Sequence, residues 1–346
     1  MVRLIKIYGE NKMKISEDPN INEAFIKIKN NLLDREHCKK YRKLSFDELY
    51  EELKDVKGIK FTDVTKEEAT AILTDLNYYY KLTVYKRSFK RDKETGKFID
   101  LEFKTLCSIA SVDMQLRYLF AEACMDIEHA LKTYIISHIT NNDEIDGFEI
   151  VNRFIHSTTE KTNPLTLDGI MSKANYPTHY QYNMYQVHKE TPPIWVVMEM
   201  MSFGDLVRFF AFYFKLYPST DFDLFSMKSV LMGVKNIRNM SVHNNPFLFD
   251  LGIGEIDRPN KYIKLYGKEV GVGEWFYKSL KVNDTLSVFY AHRFFVKGEG
   301  SRKYRIDDFK KLIDRTIDRF KYIGSTNDIM YYFNILSKVV DNQQSS

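Results

Sequence analysis

The stretch from Thr105 to Thr140 limits the fold more than any other part of the chain. Apolar residues recur there at steps of three and four, through Met114, Leu116, Tyr118, Leu119, Phe120, Ala123, Ile127, Ala130, Leu131, Tyr134 and Ile135. That spacing predicts one long helix, not a strand. Arg117, Glu122, Asp126, Glu128, His129 and Lys132 lie among those apolar positions, and Asn141-Asn142-Asp143 ends the run. The 346 residues include only 8 Pro and 15 Gly, too little turn chemistry for a many-stranded fold. The expected class is all-α.

A chain of this length can bury a sizeable core. Its 44% hydrophobic and 28% charged residues are ordinary for a soluble protein, and 25 Phe with 23 Tyr make aromatic packing a large part of that core. The formal charge of +4 permits a nucleic-acid partner without demanding one. Cys38, Cys107 and Cys124 are widely separated and fit no zinc spacing, so they are expected to be reduced core thiols. No His, Cys, Asp and Glu set has metal-ligand spacing, and no Gly-rich phosphate loop occurs; neither metal nor cofactor is expected. There is no run of eighteen apolar residues and no signal-peptide core, which predicts a cytoplasmic protein with no membrane partner.

Patterning divides the chain into an N-terminal helical extension (1–44), a helical core (45–250) carrying a long polar loop (141–192), and a C-terminal helical region (251–346). In the extension, Ile21 to Leu33 has a short helical period. Ser45, with Glu48 three residues on, predicts a capped helix start. Five glycines between 251 and 275 suggest a short hairpin. Lys86 to Lys97 is a polar insertion in which basic and aromatic residues interleave. Tyr85, Lys86, Arg87, Phe89, Lys90 and Arg91 there suit phosphate contacts and base stacking. A second basic segment spans 302–321.

The chemistry-bearing residues gather in Val234–Pro246. Met227, Val230, Leu231, Val234 and Ile237 form the buried stripe of a helix, and Arg238 falls nearly in line with it. Asn239 and His243 are an i,i+4 pair able to meet on one face. The helix should stop near Asn244, because the residue before Pro246 disfavours helical geometry. An arginine can hold a phosphate with a two-pronged, always-charged fork. An imidazole titrates near neutrality and suits acid–base work. The competing structural role pairs Arg238 with a buried glutamate and leaves His243 as a helix end; Glu122, Glu128 and Glu199 are the candidate partners, expected to support the site without doing chemistry.

Four stretches, in order, carry a family resemblance: Asn77-Tyr78-Tyr79-Tyr80-Lys81-Leu82; Ala121-Glu122 with Asp126-Ile127-Glu128-His129-Ala130-Leu131; Trp195 with Glu199 and Ser202-Phe203-Gly204; and Ile237-Arg238-Asn239 with His243. Arg followed by His five residues on is common by itself, but the ordered set of four is specific. The chain resembles, from about Leu44 to Val340, abortive-infection proteins of the AbiD/AbiF type, a bacterial anti-phage family within the HEPN superfamily. Family members often carry a second histidine directly after the motif histidine; here Asn244 takes that place, so a role needing paired histidines does not carry over.

The resemblance implies a HEPN-like helical bundle and metal-independent endoribonuclease chemistry at Arg238, Asn239 and His243. Such nucleases build the cleft from two motif copies, and this chain has one, so a homodimer is implied. A small noncoding RNA that accompanies and restrains the toxin is implied as well. Two other functions fit the same residues: a noncatalytic RNA-binding HEPN protein, and a HEPN toxin controlled by a nucleotidyltransferase antitoxin.

Overall fold

The computed structural model describes residues 42–157, 165–252, 254, 256–324 and 327–344, together with Ile21. The expected Ile21–Leu33 helix, and with it nearly all of the N-terminal extension, lies outside the described residues. Among those described, all continuous secondary structure is helical, in fifteen α-helices. The β contacts are two isolated bridges, Lys60–Glu102 and Arg91–Phe98.

The chain enters through three short helices, α1 (Phe46–Glu51), α2 (Lys66–Ala71) and α3 (Tyr79–Thr83). Ser45 and Glu48 close a capping box on α1, as their spacing predicts, and Thr65 with Glu68 does the same for α2. The long helix α4 runs from Phe103 to Thr140, beginning two residues before the apolar period starts. The polar loop then forms α5 (Glu149–Ser157), α6 (Leu167–Met171) and α7 (Tyr182–His188). Next come α8 (Ile194–Met200) and α9 (Phe203–Leu216), the latter boxed at its start by Ser202 and Asp205. The motif helix α10 spans Leu224–Val242.

Beyond it lie α11 (Lys261–Glu269), α12 (Glu274–Tyr277), α13 (Leu280–Phe295), α14 (Glu299–Phe320) and α15 (Asp328–Gln344). The glycine-rich stretch is therefore not a hairpin. Gly267 sits inside α11, where a Cβ would fall 2.6 Å from Cδ1 of Tyr277. The residue serves close helix packing and makes no β-turn.

α4, α10 and α13 pack against one another as the centre of the bundle, with α9 on α10 and α14 on α4. Hydrophobic burial along them is periodic: Leu116, Phe120, Ala123, Ile127 and Leu131 on α4, and Leu286, Phe289 and Ala291 on α13. α10 comes close to α13 at Gly233. A Cβ there would stand 2.8 Å from Cβ of Ser287 and 3.0 Å from Oδ1 of Asp284, both on α13. Aromatic rings close the flank around α9, where Phe210 stacks on Phe222 and Phe154 of α5 meets Phe209 edge-on.

Candidate functional site

α10 starts at Asp223, whose carboxylate accepts the Ser226 N–H at 2.9 Å. Met227, Val230, Leu231, Val234 and Ile237 are buried, the stripe that the period predicts. Arg238, half-buried, comes next along the helix. It lies within the electrostatic reach of Cys124, whose thiol contacts the Val234 carbonyl at 3.7 Å, so it stands at the seam between α10 and α4. Its Nη1 donates to Oδ1 of Asn239 at 3.3 Å. Among the described residues no carboxylate forms an ion pair with it. His243 is exposed and caps the helix, its backbone N–H donating to the Asn239 carbonyl at 3.0 Å.

The chain leaves the helix through a Schellman turn. The Asn244 N–H donates to the Ser241 carbonyl at 3.1 Å and the Asn245 N–H to the Met240 carbonyl at 3.0 Å. Asn244 adopts φ +57°, a left-handed conformation that asparagine tolerates better than most side chains. That geometry gives a physical reason for an asparagine directly after His243.

The turn is held from two sides. On α4, Asp113 and Arg117 form a buried ion pair, Nε to Oδ2 at 2.7 Å, with side chains 0% and 1% exposed. Arg117 also donates to the Asn244 side-chain oxygen. The other oxygen of Asp113 accepts the backbone N–H groups of Phe247 and Leu248 at 2.8 and 2.7 Å. From α13, Lys281 donates to the carbonyls of Phe247, at 2.9 Å, and Phe249, and its ammonium lies 3.9 Å from the centre of the Phe249 ring. Burial pushes the Lys281 ammonium down to about 8. His243 is thus carried on a backbone that three buried or half-buried charges immobilise.

The Abi-like protein family model matches residues 71–248, just over half of the chain. The chain belongs to the Abi-like protein family. Membership points to an abortive-infection, anti-phage role. The matched segment takes in all four resembling stretches and the Asp113–Arg117 clamp, and it stops before Lys281. No curated protein and no solved structure matches the chain.

The other residues singled out in this Abi-like chain are placed less simply. Glu122 pairs with Arg305 of α14, and Glu128 and Glu199 face Lys132 at 3.6 and 3.9 Å. None of the three forms an ion pair with Arg238, because cations on other faces of the bundle take them up. Tyr85 is fully buried beside Asp113, so its ring cannot stack on a base, and Phe89 is half-buried against the core. Arg87 pairs with Asp250, Arg91 lies 4.5 Å from the centre of the Phe98 ring, and half-buried Lys86, pushed down to about 8 by burial, lies 5.5 Å from that of Tyr79. Lys90 remains exposed. The insertion is a built turn, tied by Asp92 Oδ1 accepting the Thr95 N–H at 2.7 Å, not a free basic loop.

Helix α14 is neutralised in part: Arg305 pairs with Glu122 and Asp126, Lys310 with Asp314 and Asp341, and Lys311 with Asp308, while Arg302, Lys303, Arg315 and Arg319 form no ion pair among the described residues. Among the described residues no group of three His, Cys, Asp or Glu could hold a metal ion, and no helix is long and apolar enough to cross a membrane. Cys107 and Cys124 are free thiols, and burial pushes Cys107 up to about 11; Cys38 lies outside the described residues. The clamp escaped sequence reasoning. Its visible sign is an Asp and an Arg four residues apart where the apolar period of α4 is strongest.

Proposed function

We propose that this Abi-like chain is a metal-independent endoribonuclease whose chemistry is carried by Arg238, Asn239 and His243. The observation that carries this is Arg238: a half-buried guanidinium at a helix seam that no carboxylate answers among the described residues, held by an asparagine side chain near a clamped histidine. Such a guanidinium suits an anionic oxygen of a phosphodiester. In the cleavage, the 2′-oxygen of RNA attacks the neighbouring phosphorus, the bond to the 5′-oxygen breaks, and a 2′,3′-cyclic phosphate forms. One imidazole takes the 2′-hydroxyl proton and another returns a proton to the leaving oxygen. Two copies of the chain, each with one His243, supply both, which supports a homodimer. Exposed Tyr118 and Met125 on α4 and Val242 on α10 offer apolar surface on the helices that would face across it. A small structured RNA that restrains the toxin belongs to the same proposal.

The test is cleavage of cellular RNA by purified protein in the presence of a chelator. Arg238→Ala and His243→Ala should each abolish cleavage and growth arrest while the far-ultraviolet spectrum and melting curve stay unchanged. Two folded, fully active variants would remove these residues from the chemistry. Tight RNA binding without any cleavage would favour a noncatalytic RNA-binding protein.

A further inference from the structure

The Tyr78–Lys81 corner has no part in the cleavage step, yet its charge is unbalanced. Helix α3 packs on α4 beside the clamp. Lys81 is half-buried there and forms no ion pair among the described residues. The carboxylate that acts on it, Asp113, is fully buried and already accepts from Arg117 and two backbone N–H groups. Lys81, Arg117 and Asp113 therefore leave one surplus positive charge next to the turn that carries His243. Burial first, and then the like charge of Arg117, pull the Lys81 ammonium below its ordinary value. Tyr78 and Tyr80 flank this lysine, each 59% exposed, although aromatic side chains of this size usually bury much of their surface.

We propose that Lys81 and Tyr78 form a subsite for single-stranded RNA, Lys81 taking a backbone phosphate near the scissile one and Tyr78 stacking on the adjoining base. The proposal rests on the RNA reading of the Arg238 and His243 site. An unpaired, partly desolvated ammonium gains most from an anion, and an exposed ring beside it can serve any base, which gives binding without sequence preference.

Fluorescence anisotropy with a 5′-labelled, fully 2′-O-methylated oligonucleotide, which cannot be cleaved, measures the subsite separately from the chemistry. With the full chain, Lys81→Gln should weaken binding and lower the slope of log affinity against log salt by about 0.7. Lys81→Arg should restore the slope, and Lys189→Gln, at an exposed lysine directly after α7, should leave it unchanged. Tyr78→Ala should weaken binding about five- to hundred-fold with little change in slope. If the wild type binds and Lys81→Gln keeps its affinity and slope, the subsite is wrong while cleavage dependent on Arg238 can still stand. A changed oligomeric state in Tyr78→Ala by light scattering, with RNA binding intact, would make the corner a protein interface and overturn the proposal. If the variants behave as stated but no protein cleaves natural RNA, the subsite survives and the nuclease reading falls. A wild type that binds no RNA at all removes both.

Discussion

Replacing Arg117 with methionine should be among the most damaging single changes in the protein. The guanidinium is 1% exposed and is the only cation paired with the fully buried Asp113 among the described residues. Its removal leaves a carboxylate supported by two backbone N–H groups and by no paired cation, with Lys81 and Lys281 acting on it only through space, a situation that typically costs about 3–5 kcal/mol. Asp113→Asn keeps an acceptor for Phe247 and Leu248 but strands Arg117, and should cost a similar amount. In the double variant the charge problem disappears from both sides, and what is lost is chiefly the bond from Arg117 to Asn244. The double should then be no worse than the harsher single, giving a coupling at least as large as the milder single's cost, about 3 kcal/mol or more. Urea unfolding followed by circular dichroism measures all four proteins, and against a typical stability of about 5–15 kcal/mol the singles should shift clearly. Costs that add to within about 0.5 kcal/mol would show that the two charges do not depend on each other, and the clamp would lose its energetic basis.

Two more outcomes follow from the seam between α10 and α13. Burial raises the Asp284 carboxyl to about 6, with Asn236 donating to it at 3.0 Å. The folded state therefore prefers the neutral acid: its contribution is complete below about pH 4 and is lost as pH rises through about 6. Asp284→Asn should flatten that decline and stabilise the protein above pH 6 by up to about 3 kcal/mol, the equivalent of two pKa units; melting temperatures from pH 4.5 to 8 that fall in parallel for both proteins would contradict it. Gly233→Ala places a Cβ 2.8 Å from Ser287, and overpacking of about 1–3 kcal/mol should exceed the roughly 1 kcal/mol gained in helix propensity. A higher melting temperature would mean that α13 yields.

What could be read from the chain alone was what repeats locally. The stripes of α4 and α10 and the Ser45 cap were legible because burial and capping leave marks within a few residues of one another. The same local period places Arg238, Asn239 and His243 together at the end of α10. Electrostatic neutralisation leaves no such mark. Arg87 looks like a free phosphate contact until Asp250, 163 residues on, is seen beside it, and Arg117, whose charge Asp113 answers four residues away, gives no hint of its bond to Asn244, 127 residues on. A tyrosine among basic residues, such as Tyr85, looks the same in sequence whether its ring faces water or the core; only the packing of the Val84–Ser88 turn on α4 decides. The glycines after 251 were misjudged because close helix packing and β-turns draw on the same residue.

Lys281 changes how the limits of the family likeness should be understood. The matched segment ends at residue 248, yet the carbonyls of Phe247 and Phe249 are gripped by a lysine more than thirty positions later, and Gly233 is shaped to receive the same helix. The inherited core and the C-terminal helices are thus joined at the point where the histidine turn is set. A lineage could not exchange one for another without re-making that grip, and a fragment cut at the end of the likeness would keep every motif residue while losing half of what holds them in place.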